Sequence, residues 1–164
     1  MTKYHDTSYR YILAFGSNKG NRKKHCFRAL ESLTQYASIL RQSAWLITKP
    51  LRSKDYDTCD HEDYLNFIVE IKTNLRPVAL YKQIQKTEDL IGHSRKRRWL
   101  PRELDIDILF FSKDDHIDFN DCTMLIFKES GLKIPHQSFF ERDFLVNLVK
   151  SNFKIDLDRI SNPS

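Results

Sequence analysis

Two carboxylates lie close together in the second half of the chain. Asp105 and Asp107 are two residues apart in a segment with the pattern of a strand, so both side chains should point to the same face of a sheet. Their Cα atoms would then be roughly 6–7 Å apart. Mg²⁺ is usually held by one or two carboxylates together with substrate phosphates. Such a pair also occurs on the charged outer face of an ordinary half-buried strand.

A run of basic residues precedes the two acids. Arg95, Lys96, Arg97, Arg98 and Arg102 follow one another with no acidic residue among them. Guanidinium groups bind phosphate oxygens, and cations placed in advance stabilise the charge that develops during phosphoryl transfer. Together with the acids, the run therefore favours a phosphoryl-transfer site. Without the acids, a solvated basic loop or a nucleic-acid patch would be the first interpretation.

Three further residues could contact a nucleotide. Trp99 lies within the basic run, where it could stack on a base, pack against an arginine or plug the loop. Gln85 and Glu88 are three residues apart on a predicted helix and share one face. That face could bind a nucleotide or simply be solvated.

Aromatic and amide side chains could bind a heterocycle. Asn66 offers both a donor and an acceptor, as recognition of the edge of such a ring requires. Tyr64 and Phe144 offer faces on which the ring could stack, although ordinary core packing would explain either of them.

Size and composition limit the possible classes of protein. The 164 residues are 40% hydrophobic and 30% charged, which predicts a single globular domain over 1–164. The net charge of +5 attracts anions such as nucleic acid, an acidic membrane surface or nucleotide phosphates. Cys26, Cys59 and Cys122 form no C-x-x-C pair and suit a reducing cytoplasm. No apolar run approaches the roughly 18–20 residues needed to span a bilayer.

Hydrophobic periodicity predicts the elements that position these residues. The second helix begins at Pro77 and ends at Gly92, and Asn18 or Asn21 could cap the first. The predicted strands cover 9–15, 39–48, 64–73, 103–111 and 132–134. The first predicted helix carries Phe27, Leu30, Leu33 and Tyr36 at helical spacing, and the last covers 138–149. The order βαββαβ with additions at the end predicts an α/β (α+β) fold. It is a ferredoxin-like sandwich, and the two helices of the βαββαβ unit lie on one face of its sheet.

Several segments together resemble one known family. They are Y-I-L-A-F-G-S-N at 11–18, D-Y-L-N at 63–66, R-W-x-P-R-x-L-D-I-D-I-L-F at 98–110, I-P-H at 134–136 and R-x-F at 142–144. In this order and spacing they resemble 6-hydroxymethyl-7,8-dihydropterin pyrophosphokinase. The resemblance implies transfer of pyrophosphate from ATP to the hydroxymethyl group of the pterin in folate biosynthesis, with AMP and the pterin diphosphate as products.

The resemblance also implies a set of site residues under three mobile loops. Asp105 and Asp107 would bind two Mg²⁺ ions that bridge ATP, and the pterin oxygen would attack the β-phosphorus. Arg102, with Arg95 or Arg98, would contact the phosphates and stabilise the transition state. The implied ATP site comprises Gln85, Glu88, Arg95, Arg98, Trp99, Arg102, Ile108, His136 and Arg142. The implied pterin pocket comprises Thr48, Pro50, Leu51, Tyr64, Asn66 and Phe144.

We expect a cytoplasmic monomer. Its expected partners are the small molecules ATP and hydroxymethyldihydropterin, and neither nucleic acid nor a membrane. One alternative is a ferredoxin-like nucleic-acid-binding module, although its Gly-aromatic signature is absent and the strand acids would repel phosphates. Another is a catalytically weak relative that binds pterin and ATP, because His93 stands where the family usually has arginine.

Overall fold

The computed structural model describes residues 7–50, 60–92, 100–113, 125–127, 130–136, 138–153, 155 and 157. The predicted site residues Leu51, Arg95, Arg98 and Trp99 lie outside this part of the chain, as does His93. The strands are β1 (Tyr9–Ser17), β2 (Ser38–Gln42), β3 (Leu46–Thr48), β4 (Tyr64–Thr73), β5 (Asp105–Lys113), β6 (Leu125–Phe127) and β7 (Leu132–Ile134). The helices are α1 (Arg22–Leu33), α2 (Pro77–Ile91) and α3 (Asp143–Asn152).

The main sheet has the strand order β2-β4-β1-β5, with β3 also paired to β4. Every pairing in it is antiparallel. The helices α1 and α2 make the connections between strands that are not neighbours, which is the split βαβ arrangement of ferredoxin-like folds. This confirms the predicted fold class. A separate hairpin of β6 and β7 follows the main sheet, and the sequence analysis had predicted only its second strand.

One face of the sheet packs against α1 and α2. Alternate residues of β1, such as Leu13 and Phe15, lie in a core with Leu80 and Ile84 of α2. Pro77 opens α2 and Gly92 ends it in the left-handed conformation at φ 118°, as predicted. A side chain is strained at such a φ, so glycine suits the end of this helix.

The opposite face packs against α3, a helix whose side the sequence analysis had not predicted, whereas α1 and α2 share one face as predicted. Ile12 and Ile68 on this face contact a core that includes Leu145 and Val149 of α3. The central strands β1 and β4 are apolar on both faces, and a second layer must therefore cover the second face. The helix also begins at Asp143 instead of 138, because the preceding residues form turns that bury Phe139.

Three other local predictions need correction. The single extended segment expected at 39–48 is two strands, since the Ser43 hydroxyl accepts a hydrogen bond from the Ile68 N–H at 3.0 Å and interrupts the ladder. Asn21 caps α1 by accepting from the Lys24 N–H at 3.0 Å, whereas Asn18 does not cap it. β5 begins at Asp105, two residues later than predicted.

A bulge in β5 changes which face its side chains occupy. Ile12 is paired with Phe110 and Leu13 with Ile108, so Leu109 is an extra residue. Leu109 and Phe110 consequently both face α3, while Ile106 and Ile108 face α1 and α2. Among the helices of the described residues, none is both long and apolar enough to cross a membrane.

Two leucines of α2 test this packing. Leu80 is 0% exposed and Leu90 is 79% exposed. Leu80→Ala should lower the free energy of unfolding by about 2–5 kcal/mol because it leaves a cavity in the core. Leu90→Ala should change it by less than about 0.5 kcal/mol. Urea denaturation followed by circular dichroism measures both values, and equal losses would contradict the orientation of α2.

Candidate active site

A cleft of about 520 Å³ opens on the part of the sheet that α3 leaves uncovered. It extends along the outer edge of β5 to α2 on one side and to β3 on the other. Every predicted site residue within the described part of the chain lines it. These residues are Thr48, Pro50, Tyr64, Asn66, Gln85, Glu88, Arg102, Asp105, Asp107, Ile108, His136, Arg142 and Phe144.

The floor of the cleft is made of small residues of β1. Gly16 is paired with Asn66 on β4 and with Asp105 on β5, and Ala14 is paired with Asp107. Because neighbouring strands are about 4.8 Å apart, the Asn66 and Asp105 backbones lie roughly 10 Å from each other across the floor. The amide and the acids therefore stand on opposite sides of one open surface.

Two arginines and a histidine surround the acid pair. The Arg102 guanidinium donates to Asp105 Oδ2 at 2.7 Å, and Arg142 Nη1 donates to Asp107 Oδ2 at 3.3 Å. His136 Nε2 lies 3.7 Å from Asp107 Oδ1. The acids come from β5, whereas the basic side chains come from the segment before β5, the end of the β7 region and the start of α3. The fold brings these side chains together from separate parts of the chain.

Asp107 is held in an environment that disfavours its charge. Burial raises the pKa of Asp107, and the negative charge of Asp105 raises it further, while His136, Arg142 and Arg102 act in the opposite direction. Additional positive charge beside the pair would therefore be favourable. Within the described residues no group of three acidic, histidine or cysteine side chains could hold a metal. Two carboxylates completed by substrate oxygens fit Mg²⁺.

Glu88 has a structural contact in addition to its place in the cleft. It is 6% exposed, and its Oε1 accepts a hydrogen bond from the Ile106 N–H at 2.8 Å. Ile106 lies on β5 at the edge of the main sheet, where a backbone N–H needs a partner. Glu88 therefore links α2 to the strand that carries the acids. Ile108 is 3% exposed in the core with α1 and α2 and borders the cleft from there.

The other side of the cleft presents an amide and two aromatic rings. Asn66 is 5% exposed, and its Nδ2 donates to Thr48 Oγ1 at 2.8 Å, which fixes the orientation of the amide. Tyr64 lies two residues before Asn66 on β4 and therefore on the same face of the sheet. Burial raises the pKa of the Tyr64 hydroxyl. Phe144 reaches the cleft from α3. A Cβ added at Gly16 would lie 3.3 Å from Asn66 Oδ1, so glycine keeps this surface open.

Several residues of the cleft were missed by the sequence analysis. Tyr81 lies four residues before Gln85 on α2, and helical spacing could have identified it. The positions of Lys49, His61 and Lys133 depend on how loops and the β6–β7 hairpin pack, which no local pattern indicates. These four side chains all line the cleft.

Comparison with known proteins connects this geometry to a family. A family model described as 7,8-dihydro-6-hydroxymethylpterin-pyrophosphokinase matches residues 12–151. The chain belongs to this pyrophosphokinase family. A relative from Aquifex aeolicus, named 2-amino-4-hydroxy-6-hydroxymethyldihydropteridine pyrophosphokinase, is 33% identical over 82% of this chain and 74% of its own. A Bacillus subtilis relative of the same name is 32% identical over 82% and 72%.

Longer proteins contain a similar unit. A folate synthesis bifunctional protein from Chlamydia trachomatis is 35% identical over 88% of this chain but only 31% of its own length. The crystal structure of Plasmodium falciparum HPPK-DHPS A437G with pteroate superposes with a TM-score of 0.50 and 15% identity, over 92% of this chain and 36% of that one. At this identity the likeness concerns the fold alone, which agrees with the α+β fold described above.

The raised pKa of Asp107 predicts a pH-dependent cost in stability. The folded protein keeps this proton to a higher pH than the unfolded chain does. Wild-type stability therefore falls as the pH rises above the ordinary carboxyl pKa of 3.8. The side-chain amide in Asp107→Asn does not ionise, so this variant does not lose stability in that way as the pH rises. Without nucleotide or divalent ions, the variant should have a higher Tm than wild type at pH 7 and should lose this advantage below pH 3.8.

Asp60→Asn is the control, because Asp60 is exposed and far in sequence from the pair. Its Tm should follow that of wild type across the pH range. An Asp107→Asn protein that is less stable than wild type at pH 7 would show that the contacts with Arg142 and His136 outweigh the cost of burial.

Proposed function

We propose that this protein transfers pyrophosphate from ATP to the hydroxymethyl group of 6-hydroxymethyl-7,8-dihydropterin in folate biosynthesis. The products are AMP and the pterin diphosphate. The observation that carries the proposal is the cleft with Asp105 and Asp107 among cations on one side and Asn66 with aromatic rings on the other. This division suits a triphosphate and a flat polar ring bound side by side, and it accompanies membership of the pyrophosphokinase family.

We assign the binding of two Mg²⁺ ions to Asp105 and Asp107. Carboxylate oxygens are the ligands that Mg²⁺ takes in nucleotide sites, and the environment of Asp107 favours added positive charge. Bound Mg²⁺ would neutralise and orient the phosphate oxygens of ATP.

Cationic side chains of the protein support the same phosphates. Arg102 and Arg142 already lie against the acid pair, so their charge is in place before ATP arrives and needs little reorganisation. Arg95 and Arg98, in the basic run before β5, would add phosphate contacts during transfer. The remaining ATP contacts are assigned to Gln85, Glu88, Trp99, Ile108 and His136.

The opposite side of the cleft would hold the pterin. Asn66, oriented by Thr48, can pair with the donor and acceptor edge of the ring, and Tyr64 and Phe144 can sandwich its faces. Pro50 and Leu51 would complete the pocket. The hydroxymethyl oxygen then forms a bond to the β-phosphorus and releases its proton to solvent, while the bond between that phosphorus and the α–β bridging oxygen breaks and AMP leaves.

We further propose that the chain acts as a cytoplasmic monomer with one pyrophosphokinase domain over 1–164 and without nucleic-acid or membrane partners. Cys26 is a buried free thiol, which suits a reducing compartment. The acid pair on the sheet would repel a nucleic-acid backbone.

Release of AMP from ATP, Mg²⁺ and the dihydropterin alcohol tests the reaction. Asp105→Asn and Asp107→Asn keep the size of each side chain but remove its charge, and each should lower kcat by roughly a hundredfold or more. Asp60→Asn, at an exposed position, should keep full activity. Wild-type turnover in both acid variants would refute the metal assignment, and a folded wild-type protein that releases no AMP above background would refute the reaction.

The pterin side has its own test. Asn66→Ala should raise KM for the pterin roughly tenfold or more, because the polar edge of the ring loses its partner, while KM for ATP stays unchanged. Asn74→Ala changes an exposed asparagine just beyond β4 and serves as the control. Equal increases of KM for both substrates would contradict the assignment of Asn66 to the pterin.

A further inference from the structure

The turn between β1 and α1 holds the backbone of the segment that precedes β5. The main-chain N–H of Asn18 donates to the Arg102 carbonyl at 3.0 Å, and the main-chain N–H of Arg102 donates to Asn18 Oδ1 at 2.8 Å. The Ser17 hydroxyl donates to the Glu103 carbonyl at 2.6 Å. These three hydrogen bonds are called the Asn18 clamp below.

Burial makes the Asn18 clamp difficult to replace. Ser17 is 0% exposed and Asn18 is 1% exposed, so water cannot easily take over a broken bond. Arg102 lies outside the helices and strands, and no sheet ladder holds it. Asn18 binds both the main-chain N–H and the carbonyl of Arg102. The Asn18 clamp therefore fixes the position of the Arg102 backbone, from which the side chain extends.

The Arg102 side chain extends into the cleft from this fixed point. Its guanidinium is 2.7 Å from Asp105 Oδ2, and an arginine side chain has enough rotatable bonds to move if its backbone moves. Bound phosphates would compete with Asp105 for the guanidinium. When phosphates bind the guanidinium, the ion pair with Asp105 no longer determines its position. That position then depends on the hydrogen bonds that hold the Arg102 backbone.

We propose that Asn18 is a positioning residue for pyrophosphoryl transfer and that it acts through Arg102. The proposal rests on the function given above, in which Arg102 contacts phosphates. Helix capping does not account for Asn18, since Asn21 caps α1. Asn18 Nδ2 has no acceptor among the residues that the structure describes, so Oδ1 is the side-chain atom that the Asn18 clamp requires.

Three single variants separate positioning from general stability. Asn18→Ala removes the acceptor and should lower kcat roughly tenfold to a hundredfold, with KM for the pterin unchanged. Asn18→Asp keeps an acceptor oxygen for the Arg102 N–H and should recover most of that loss. Asn21→Ala is the matched control, because it also removes an asparagine acceptor from the same turn. It should lower Tm and leave kcat unchanged.

A double-mutant cycle with Arg102→Ala shows whether Asn18 acts through Arg102. In the Arg102→Ala background, Asn18→Ala should cause no further fall in kcat. A residue that only stabilises the fold would lower kcat by the same factor in both backgrounds. The Kd of α,β-methylene-ATP with Mg²⁺ is measured for the same four proteins, because binding of this analogue does not require turnover. Tm is measured for every protein.

The outcomes distinguish this proposal from the proposed function. Additive effects in the cycle, or a fall in kcat for Asn21→Ala equal to that for Asn18→Ala, would overturn the positioning role. An Arg102→Ala protein with normal kcat and normal Kd would overturn it as well. If wild type binds the analogue but never turns over, the proposed reaction fails and the binding cycle decides the role of Asn18. If wild type does not bind the analogue, both proposals fail.

Discussion

The cleft depends on keeping two adjacent carboxylates beside each other at the edge of an apolar sheet. Asp107 has a side chain that is 15% exposed, and Asp105 repels it from two positions away. The protein compensates with Arg102, His136 and Arg142, each from a different part of the chain. The pair is therefore balanced only when β5, the β7 region and the start of α3 have all assembled, which ties the chemistry of the site to the complete fold.

Elements with strong local signals could be predicted from the sequence, and elements chosen by packing could not. β4 and α2 were predicted well because alternation in the strand, Pro77 at the start of the helix and Gly92 at its end are all local. The side of the sheet on which α3 lies could not be predicted, since an amphipathic helix does not specify which apolar surface it covers. The division between β2 and β3 depends on Ser43, which contacts a residue 25 positions away.

The candidate site shows the same contrast. Spacing along one strand and one basic run indicated Asp105, Asp107 and phosphate chemistry. Residue types indicated only that Tyr64, Asn66 and Phe144 could bind a heterocycle, and the resemblance to the family identified that ring as a pterin. Asn18 was interpreted as a helix cap, because an asparagine after a strand has the same local appearance whether it binds the next turn or a segment 84 residues away. The roles of individual residues are not encoded in such local patterns.

The extra residue at Leu109 divides β5 into two stretches with different tasks. Before it, the side chains facing α3 and the cleft are acids, and from Leu109 onward that face is occupied by buried apolar groups. Loss of Leu109 would remove the bulge while Ile108 stays opposite Leu13 and Phe110 stays opposite Ile12, so both stretches would keep their faces. The bulge therefore adds one leucine to the layer beneath α3 without moving Asp105 and Asp107 away from the cleft.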